Sequence, residues 1–225
     1  IDLSELGKQP MSTEDGRYTL TYNGEIYNFA ELRAELVSKG HKFASRTDSE
    51  VVLRGFAEWG ADLIPKLNGM FAFGIWDQQE SQLLLARDRY GIKPLYYSRS
   101  GDCFLFASEC KGIRAHQKAP RGIHRQALLE YFTFQNFLTD RTLFEGIQLL
   151  EPGHTLVINQ KTGKITKNQY WDFEFAEPEN PESKEEYIEE LDRLFTQAVQ
   201  RQLVSDTEVG CLLYTSDAAD EVLGV

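Results

Sequence analysis

Two segments that are apolar on both faces constrain the fold of this chain more than any other feature. Residues 70–76 and 83–86 lack the polar alternation of a half-exposed strand, and the residues 77–80 between them are polar. Strands of this kind are covered on both sides, and the polar link indicates a hairpin. Residues 95–97 and 103–107, joined by a polar turn, continue the meander. Two packed sheets with helices outside would satisfy this demand for burial.

A polar motif follows the first alternating segment. Through residues 17–22, large side chains alternate with small polar ones, which predicts a strand. Asn28, with Glu31 three residues later, is typical of a capping box at the start of a helix. Residues 23–25 would therefore lie where a strand ends and the chain turns towards a helix.

Asn23-Gly24-Glu25 allow two interpretations. Asn-Gly commonly forms a hairpin turn, although a helical pattern rather than a second strand follows here. Alternatively, the Asn23 amide and the Gly24 N–H could donate to one developing oxyanion, since glycine lets the backbone approach a ligand closely. The Glu25 carboxylate could then hold a ligand ammonium group through charge-assisted hydrogen bonds. From the residues alone, both interpretations stay open.

Two amphipathic helices are predicted next. The first spans residues 29–39 and ends at Gly40, and the second begins near residues 47–50. Asp48 lies at the start of the second helix, where free N–H groups and the helix dipole stabilise an acidic side chain. The residues alone therefore favour a structural capping role for Asp48.

Other potentially reactive groups have structural interpretations. Arg87-Asp88-Arg89 interrupts the apolar segments, and we interpret it as an internally satisfied ion-pair cluster rather than as catalytic machinery. Cys103 and Cys110 suit small core positions better than nucleophilic ones. The histidines share no ligand spacing, so no metal site is predicted.

Composition excludes several classes of function. The chain has 225 residues, 41% of them hydrophobic, which suffices for one large domain or one and a half. The net charge is −11 and no Lys/Arg cluster is present, so no nucleic-acid partner is expected. The three cysteines fit neither a disulfide framework nor a zinc site. No apolar run spans a membrane and no signal peptide is visible, so we expect a cytoplasmic protein without a membrane partner.

The last part of the chain predicts a transition to a second domain. A helix over residues 124–136 and a turn into a strand over residues 147–158 precede an acidic, proline-containing segment at residues 172–181. Such a segment is typical of a linker. Residues 184–203 then carry one apolar helical face, which suits a docked helix that opens a second domain.

Four sequence blocks resemble one family. They are YNGEIYN at 22–28, RTDSE at 46–50, LNGMFAF at 67–73 and ARDRYGIKPLYY at 86–97. In this order and spacing they resemble the glutaminase domain of glutamine-dependent asparagine synthetases, which are class II amidotransferases. The resemblance runs from residue 1 to about residue 210. It implies an α+β fold, an N-terminal-nucleophile αββα sandwich that is incomplete here, followed by the opening helix of an α/β ATP-pyrophosphatase domain.

The resemblance also implies domain boundaries. Residues 1–172 match the glutaminase domain without its N-terminal segment, residues 173–183 the linker, and residues 184–210 the start of the synthetase domain. Residues 211–225 replace the expected glycine-rich pyrophosphate loop, and we interpret them as a non-native tail that resembles a translated sequencing adapter. In the family, the N-terminal cysteine nucleophile and a carboxylate-binding arginine precede the position of Ile1. We therefore expect a fragment that hydrolyses no glutamine by itself.

The resemblance assigns roles to four residues present here. Asn23 and Gly24 match the oxyanion hole, and Asn23, Gly24, Glu25 and Asp48 match the glutamine-binding site. Asp48 would bind the α-ammonium group, which outweighs its capping interpretation. The parent enzyme would make asparagine from aspartate, glutamine and ATP. ATP and magnesium would bind the second domain and none of the residues present, and a homodimer is expected from the resemblance alone.

Two rival functions are compatible with these residues. Relatives with the same pair of domains build β-lactams or modify peptides and sugars, and the pocket for the acceptor would lie beyond residue 210. A non-catalytic glutamine-binding module is the second rival. A cysteine as the first residue of the mature chain would favour the enzyme.

Overall fold

The computed structural model describes residues 7–176, 178 and 181–203. The chain divides into two units between residues 176 and 177. The end of the predicted start of the synthetase domain, residues 204–210, and the predicted tail at residues 211–225, which contains Cys211, lie outside the described residues. The predicted domain boundaries therefore stay predictions.

The first unit contains two antiparallel sheets. The strands, in chain order, are β1 (Met11–Ser12), β2 (Tyr18–Ile26), β3 (Gly69–Asp77), β4 (Gln82–Arg87), β5 (Tyr96–Ser100), β6 (Cys103–Ala107), β7 (Ile147–Leu149), β8 (His154–Asn159) and β9 (Ile165–Gln169). One sheet has the order β1-β2-β3-β4-β8-β9 and the other the order β6-β5-β7. The predicted β3–β4 and β5–β6 hairpins are confirmed, but β5 and β6 belong to the second sheet instead of extending the first.

Five α-helices are described. They are α1 (Phe29–Ser38), α2 (Asp48–Trp59), α3 (Cys110–Arg114), α4 (Arg125–Phe134) and α5 (Lys184–Gln202). A 3-10 helix, Gly60–Lys66, follows α2. Antiparallel sheets with segregated helices confirm the predicted α+β class.

Three apolar clusters arrange the first unit in four layers. The first cluster lies between one face of the six-stranded sheet and helices α1 and α2, and it buries Leu36 and Phe71. The second joins the other face of that sheet to the three-stranded sheet through Ala72 and Tyr97. The third lies between the three-stranded sheet and α3. Because β3 and β4 send alternate side chains into the first two clusters, both faces are covered, as predicted.

The segment 23–28 differs from its prediction. Strand β2 continues through Asn23, Gly24 and Glu25 to Ile26, and these residues pair with β3, so the predicted turn is wrong. Asn28 does not cap α1 with its side chain. Instead, its amide donates to Lys66 O at 3.0 Å and accepts from the Asn68 N–H at 2.9 Å. The Asn28 side chain, which local spacing assigned to the start of α1, thus binds the loop before β3 instead.

The helices near the end of the described chain are formed but expose apolar faces. In α4, the side chains of Leu129 and Phe132 are 67% and 76% exposed. Helix α5 begins with a capping box between Ser183 and Glu186, and none of its residues is buried. No helix among the described residues combines the length and apolar character needed to cross a lipid bilayer.

Candidate functional site

The end of strand β2 presents an edge with available backbone groups. Strand β1 pairs only with Thr19 and Leu20, and the described residues place no strand beside residues 23–26 on that side. The Tyr22 N–H donates to the Gln9 side chain at 2.6 Å, and the Ile26 N–H donates to Asp48 Oδ2 at 3.0 Å. Since N–H directions alternate along a strand, the Gly24 N–H points to the same open edge.

Asn23 lies beside this edge, on the face that looks towards the three-stranded sheet. Its Nδ2 donates to the Ser108 hydroxyl, just after β6, at 3.3 Å. The Asn23 side chain is exposed, and its amide nitrogen carries a second N–H. The Asn23 amide and the Gly24 N–H are therefore adjacent donors that a single ligand oxygen could use.

Gly24 has a structural requirement of its own. A Cβ atom here would lie 2.3 Å from Met70 O and 2.7 Å from Phe71 Cα. Such contacts would push β2 away from β3. The pairing of these strands therefore demands glycine, and only the direction of its N–H points to ligand binding.

Asp48 is buried at the start of α2, with 4% of its surface exposed. Its Oδ2 accepts hydrogen bonds from the Tyr22 hydroxyl at 2.5 Å and from the Ile26 N–H at 3.0 Å. The helix cap is Thr47, whose hydroxyl accepts from the Glu50 N–H at 3.1 Å. Asp48 therefore lies in the first turn of α2, as predicted, but its side chain is not the cap, because the carboxylate is directed to the end of β2.

Glu25 lies on the same face of β2 as Asn23 and is half-buried. Burial raises the pKa of Tyr27, and the Glu25 charge raises it further. Glu25 thus adds a carboxyl group near the end of β2. The structure thus brings all four predicted residues, Asn23, Gly24, Glu25 and Asp48, to one strand end.

The cluster Arg87-Asp88-Arg89 bonds mainly to backbone groups and not through the predicted ion pairs, and the buried Arg89 Nε has no hydrogen-bond partner among the described residues. The Asp88 carboxylate accepts hydrogen bonds from the backbone N–H groups of Phe71, Tyr90, Ile92 and Lys93. Arg87 donates to the backbone oxygens of Gly91, Lys93 and Leu150, and Arg89 donates to Pro65 O. Burial lowers the pKa of Arg87. Backbone groups of the adjoining loops replace the expected charged partners.

The sequence alone gave no functional role to two residues of this region. Tyr22 contacts Asp48, and Ser108 contacts Asn23. Tyr22 left a usable signal, because a tyrosine on the buried face of a strand needs a hydrogen-bond partner for its hydroxyl. Ser108 left none, since it lies 85 residues from Asn23 in the chain.

Neither metal ligands nor an activated thiol are assembled in the described residues. They contain no group of three or more His, Cys, Asp or Glu side chains that could hold a metal ion. Cys103 and Cys110 are free and half-buried. Burial raises the pKa of the Cys110 thiol, which disfavours the nucleophilic thiolate.

Known proteins are similar in sequence to this chain. Residues 1–171 match the family described as a glutamine amidotransferase domain. The chain is 39% identical over 208 residues to glutamine-hydrolyzing asparagine synthetase 3 of Bacillus subtilis (strain 168), covering 91% of this chain and 33% of that protein. It is 32% identical over 228 residues to amidase chry2 of Gibberella zeae, covering 100% of this chain and 33% of that protein. The chain thus spans about a third of the length of these curated relatives.

A solved structure has partial similarity to the chain. It is a glutamine phosphoribosylpyrophosphate amidotransferase from B. subtilis in complex with ADP and GMP, with a TM-score of 0.49 and 22% sequence identity. The similarity covers 72% of this chain and 32% of that chain. The family match over residues 1–171 includes every strand that the structure describes and all four candidate site residues. The chain therefore belongs to the glutamine amidotransferase domain family.

Proposed function

We propose that this chain supplies the glutaminase part of an asparagine synthetase. In the parent enzyme, ammonia released from glutamine would amidate aspartate, with ATP activating the acceptor. One observation carries the proposal: adjacent donors from Asn23 and Gly24 and the buried Asp48 carboxylate meet at the open edge of β2. The similarity to glutamine-hydrolyzing asparagine synthetases supports the choice of reaction.

Each residue has a distinct part in the proposed hydrolysis. A nucleophile attacks the side-chain amide carbon of glutamine, and negative charge develops on the amide oxygen. Asn23 Nδ2 and the Gly24 N–H would donate to this oxyanion as it forms. Asp48 and Glu25 would hold the α-ammonium group of glutamine at the other end of the substrate. The nucleophile would be the N-terminal cysteine of an N-terminal-nucleophile αββα sandwich.

ATP and magnesium belong to the second half of the proposed reaction. ATP supplies the activation of aspartate when it is bound. The described residues offer no cluster of carboxylates for magnesium, and helix α5 is the only secondary-structure element of the second unit among them. The ATP-pyrophosphatase assignment of that unit, a cytoplasmic location and a homodimer complete the proposal.

A different acceptor is the strongest rival. Amidase chry2 matches the whole chain at 32% identity, so similarity of the glutaminase part does not select aspartate. The rival shares the glutaminase chemistry and differs in the product. Glutamate release without asparagine formation, in the presence of ATP and aspartate, would favour it.

The test compares two neighbouring residues in the full-length protein. Asp48→Asn should raise the glutamine KM by roughly 10- to 100-fold and lower kcat much less, because it removes a charged partner of the ammonium group. Thr47→Ala is the matched control. Loss of the cap should cost about 1 kcal/mol of unfolding free energy and leave the glutamine KM unchanged.

Ammonia-driven synthesis separates ligand binding from folding. Both variants should keep the wild-type rate of asparagine formation when ammonia replaces glutamine. Equal loss of the two rates in Asp48→Asn would mean that Asp48 holds the fold. A wild-type protein that binds glutamine but releases no glutamate would support the non-catalytic binding module.

A further inference from the structure

The contact between Tyr22 and Asp48 is the shortest side-chain link in the candidate site. Tyr22 is 9% exposed and Asp48 is 4% exposed, and the Tyr22 hydroxyl donates to Asp48 Oδ2 at 2.5 Å. A hydrogen bond from a hydroxyl to a carboxylate at this distance is charge-assisted and among the stronger ones in proteins. The two residues are 26 positions apart in the chain, so the contact joins strand β2 to the start of helix α2.

The two oxygens of the Asp48 carboxylate differ in the hydrogen bonds that they accept. Oδ2 accepts from both the Tyr22 hydroxyl and the Ile26 N–H. Within the described residues, Asp48 makes no hydrogen bond through Oδ1. Two donors on one oxygen fix the plane of the carboxylate, and Oδ1 keeps its lone pairs for another donor.

We propose that Tyr22 is a positioning residue for glutamine, acting through Asp48 on the α-ammonium group of the substrate. This inference rests on the proposed function, because it assumes that Asp48 receives that ammonium. Tyr22 itself does not touch the substrate. It holds Oδ2 and so leaves Oδ1 for the ammonium group, and it stabilises the negative charge that the ammonium requires.

The protonation state of Tyr22 suits this role. Burial, followed by the charge of Asp48, raises the pKa of the Tyr22 hydroxyl well above its ordinary value of 10.0. The hydroxyl therefore stays protonated at neutral pH and remains a donor. A phenylalanine would fill the same apolar space between β2 and α2 but would leave Oδ2 with one donor.

The main experiment is Tyr22→Phe in the full-length protein. We expect the glutamine KM to rise roughly tenfold, which corresponds to about 1.4 kcal/mol, with kcat and ammonia-driven synthesis within about twofold of wild type. Tyr18→Phe is the matched control. Tyr18 lies on the same face of β2 and packs edge-to-face on Phe56 at 5.4 Å, with no carboxylate partner in the described part of the chain, so its KM should not change.

A ligand without the ammonium group tests whether Tyr22 acts through the contact between Asp48 and that group. Glutaramate is glutamine without its α-ammonium, so its inhibition constant should be the same in wild type and Tyr22→Phe. In the Asp48→Asn background, Tyr22→Phe should change the glutamine KM by less than about twofold, because the two residues act as a unit. Tenfold weaker glutaramate binding, or full additivity of the two substitutions, would overturn the inference.

The outcomes separate this inference from the proposed function. Glutamine hydrolysis by wild type with an unchanged KM in Tyr22→Phe would overturn the inference alone. A lower kcat and melting temperature at constant KM would also overturn it, since a merely structural role predicts that pattern. Absence of both hydrolysis and calorimetric glutamine binding in the wild-type protein would overturn the inference and the proposed function together.

Discussion

Asn23 and Arg87 lie in one row across the six-stranded sheet, each paired with Ala72 from opposite sides, but their surroundings differ. Arg87 and the neighbouring Asp88 are buried, and backbone groups of the adjoining loops satisfy them. Asn23 lies on β2, beside an edge that no described strand covers, and has a side-chain N–H to spare. Polar groups that the fold satisfies completely stabilise it, whereas polar groups held rigid with spare capacity can serve a ligand.

The same contrast separates two carboxylates in the first turn of α2. Glu50 accepts hydrogen bonds from the backbone and hydroxyl of Ser45 and from the Ala44 N–H. Asp48 receives its two hydrogen bonds on one oxygen. Two residues of the same charge, two positions apart in one helix, therefore have different capacities for a ligand.

The largest expected effect is at Asn23, the residue with a spare hydrogen-bond donor. Asn23→Ala should lower glutaminase kcat in the full-length protein by roughly 10²–10³, or about 2.7–4 kcal/mol, because one preformed oxyanion donor is lost. Steady-state glutamate release measures it. Ammonia-driven synthesis and the melting temperature should stay at wild-type values.

Asn28→Ala is the matched control for Asn23→Ala. Asn28 belongs to the same heptapeptide, but its amide is engaged with Lys66 and Asn68. Its substitution should lower the melting temperature and leave kcat per folded molecule unchanged. A kcat loss in Asn28→Ala as large as that in Asn23→Ala would remove the distinction drawn between the two asparagines.

The next largest effect is expected at Asp88, whose carboxylate is fully hydrogen-bonded by backbone N–H groups. Asp88→Asn should lower the free energy of unfolding by about 3 kcal/mol, because an amide nitrogen would replace an acceptor that faces several backbone N–H groups. Denaturant titration measures the loss, and the glutamine KM of the folded protein should not change. Asp102→Asn is the control, since Asp102 is an exposed carboxylate paired with Lys118 and its loss should leave stability unchanged. A raised glutamine KM in Asp88→Asn would place Asp88 in the ligand site.

The smallest effect concerns Glu50 and depends on pH. Burial alone would raise the pKa of Glu50, but the hydrogen bonds from Ala44 and Ser45 and the charge of Arg54 lower it below the ordinary value of 4.5. A depressed carboxylate pKa stabilises the fold above the unfolded pKa, and this stabilisation is lost as the pH falls through the folded pKa. Glu50→Gln should therefore cost about 1.5 kcal/mol at pH 7. The difference in free energy of unfolding between the variant and wild type should shrink below about pH 4.5. An unchanged difference there would contradict a stabilising role for the ionised Glu50 carboxylate.

The sequence by itself determined the elements and the region of the site. Strands β3 and β4 and the hairpin between them follow from two continuous apolar runs with a polar link, and helix α2 follows from the helical spacing of its apolar residues. The resemblance of short motifs to a known family pointed to the four candidate residues, and the structure gathers them at one strand end. Local patterns predict strands, hairpins and helices because the residues involved lie close together in the chain.

Tertiary structure alone decided which polar groups satisfy one another. Local spacing assigned the cap of α2 to Asp48, ended β2 at the Asn-Gly pair and gave Asn28 to α1. In the fold, Thr47 is the cap, β2 continues to Ile26 and Asn28 holds the loop before β3. Each buried donor or acceptor must find a partner, and several candidates compete for it. Contacts between residues 26 or 85 positions apart settle that competition, and a local sequence pattern contains no information about them.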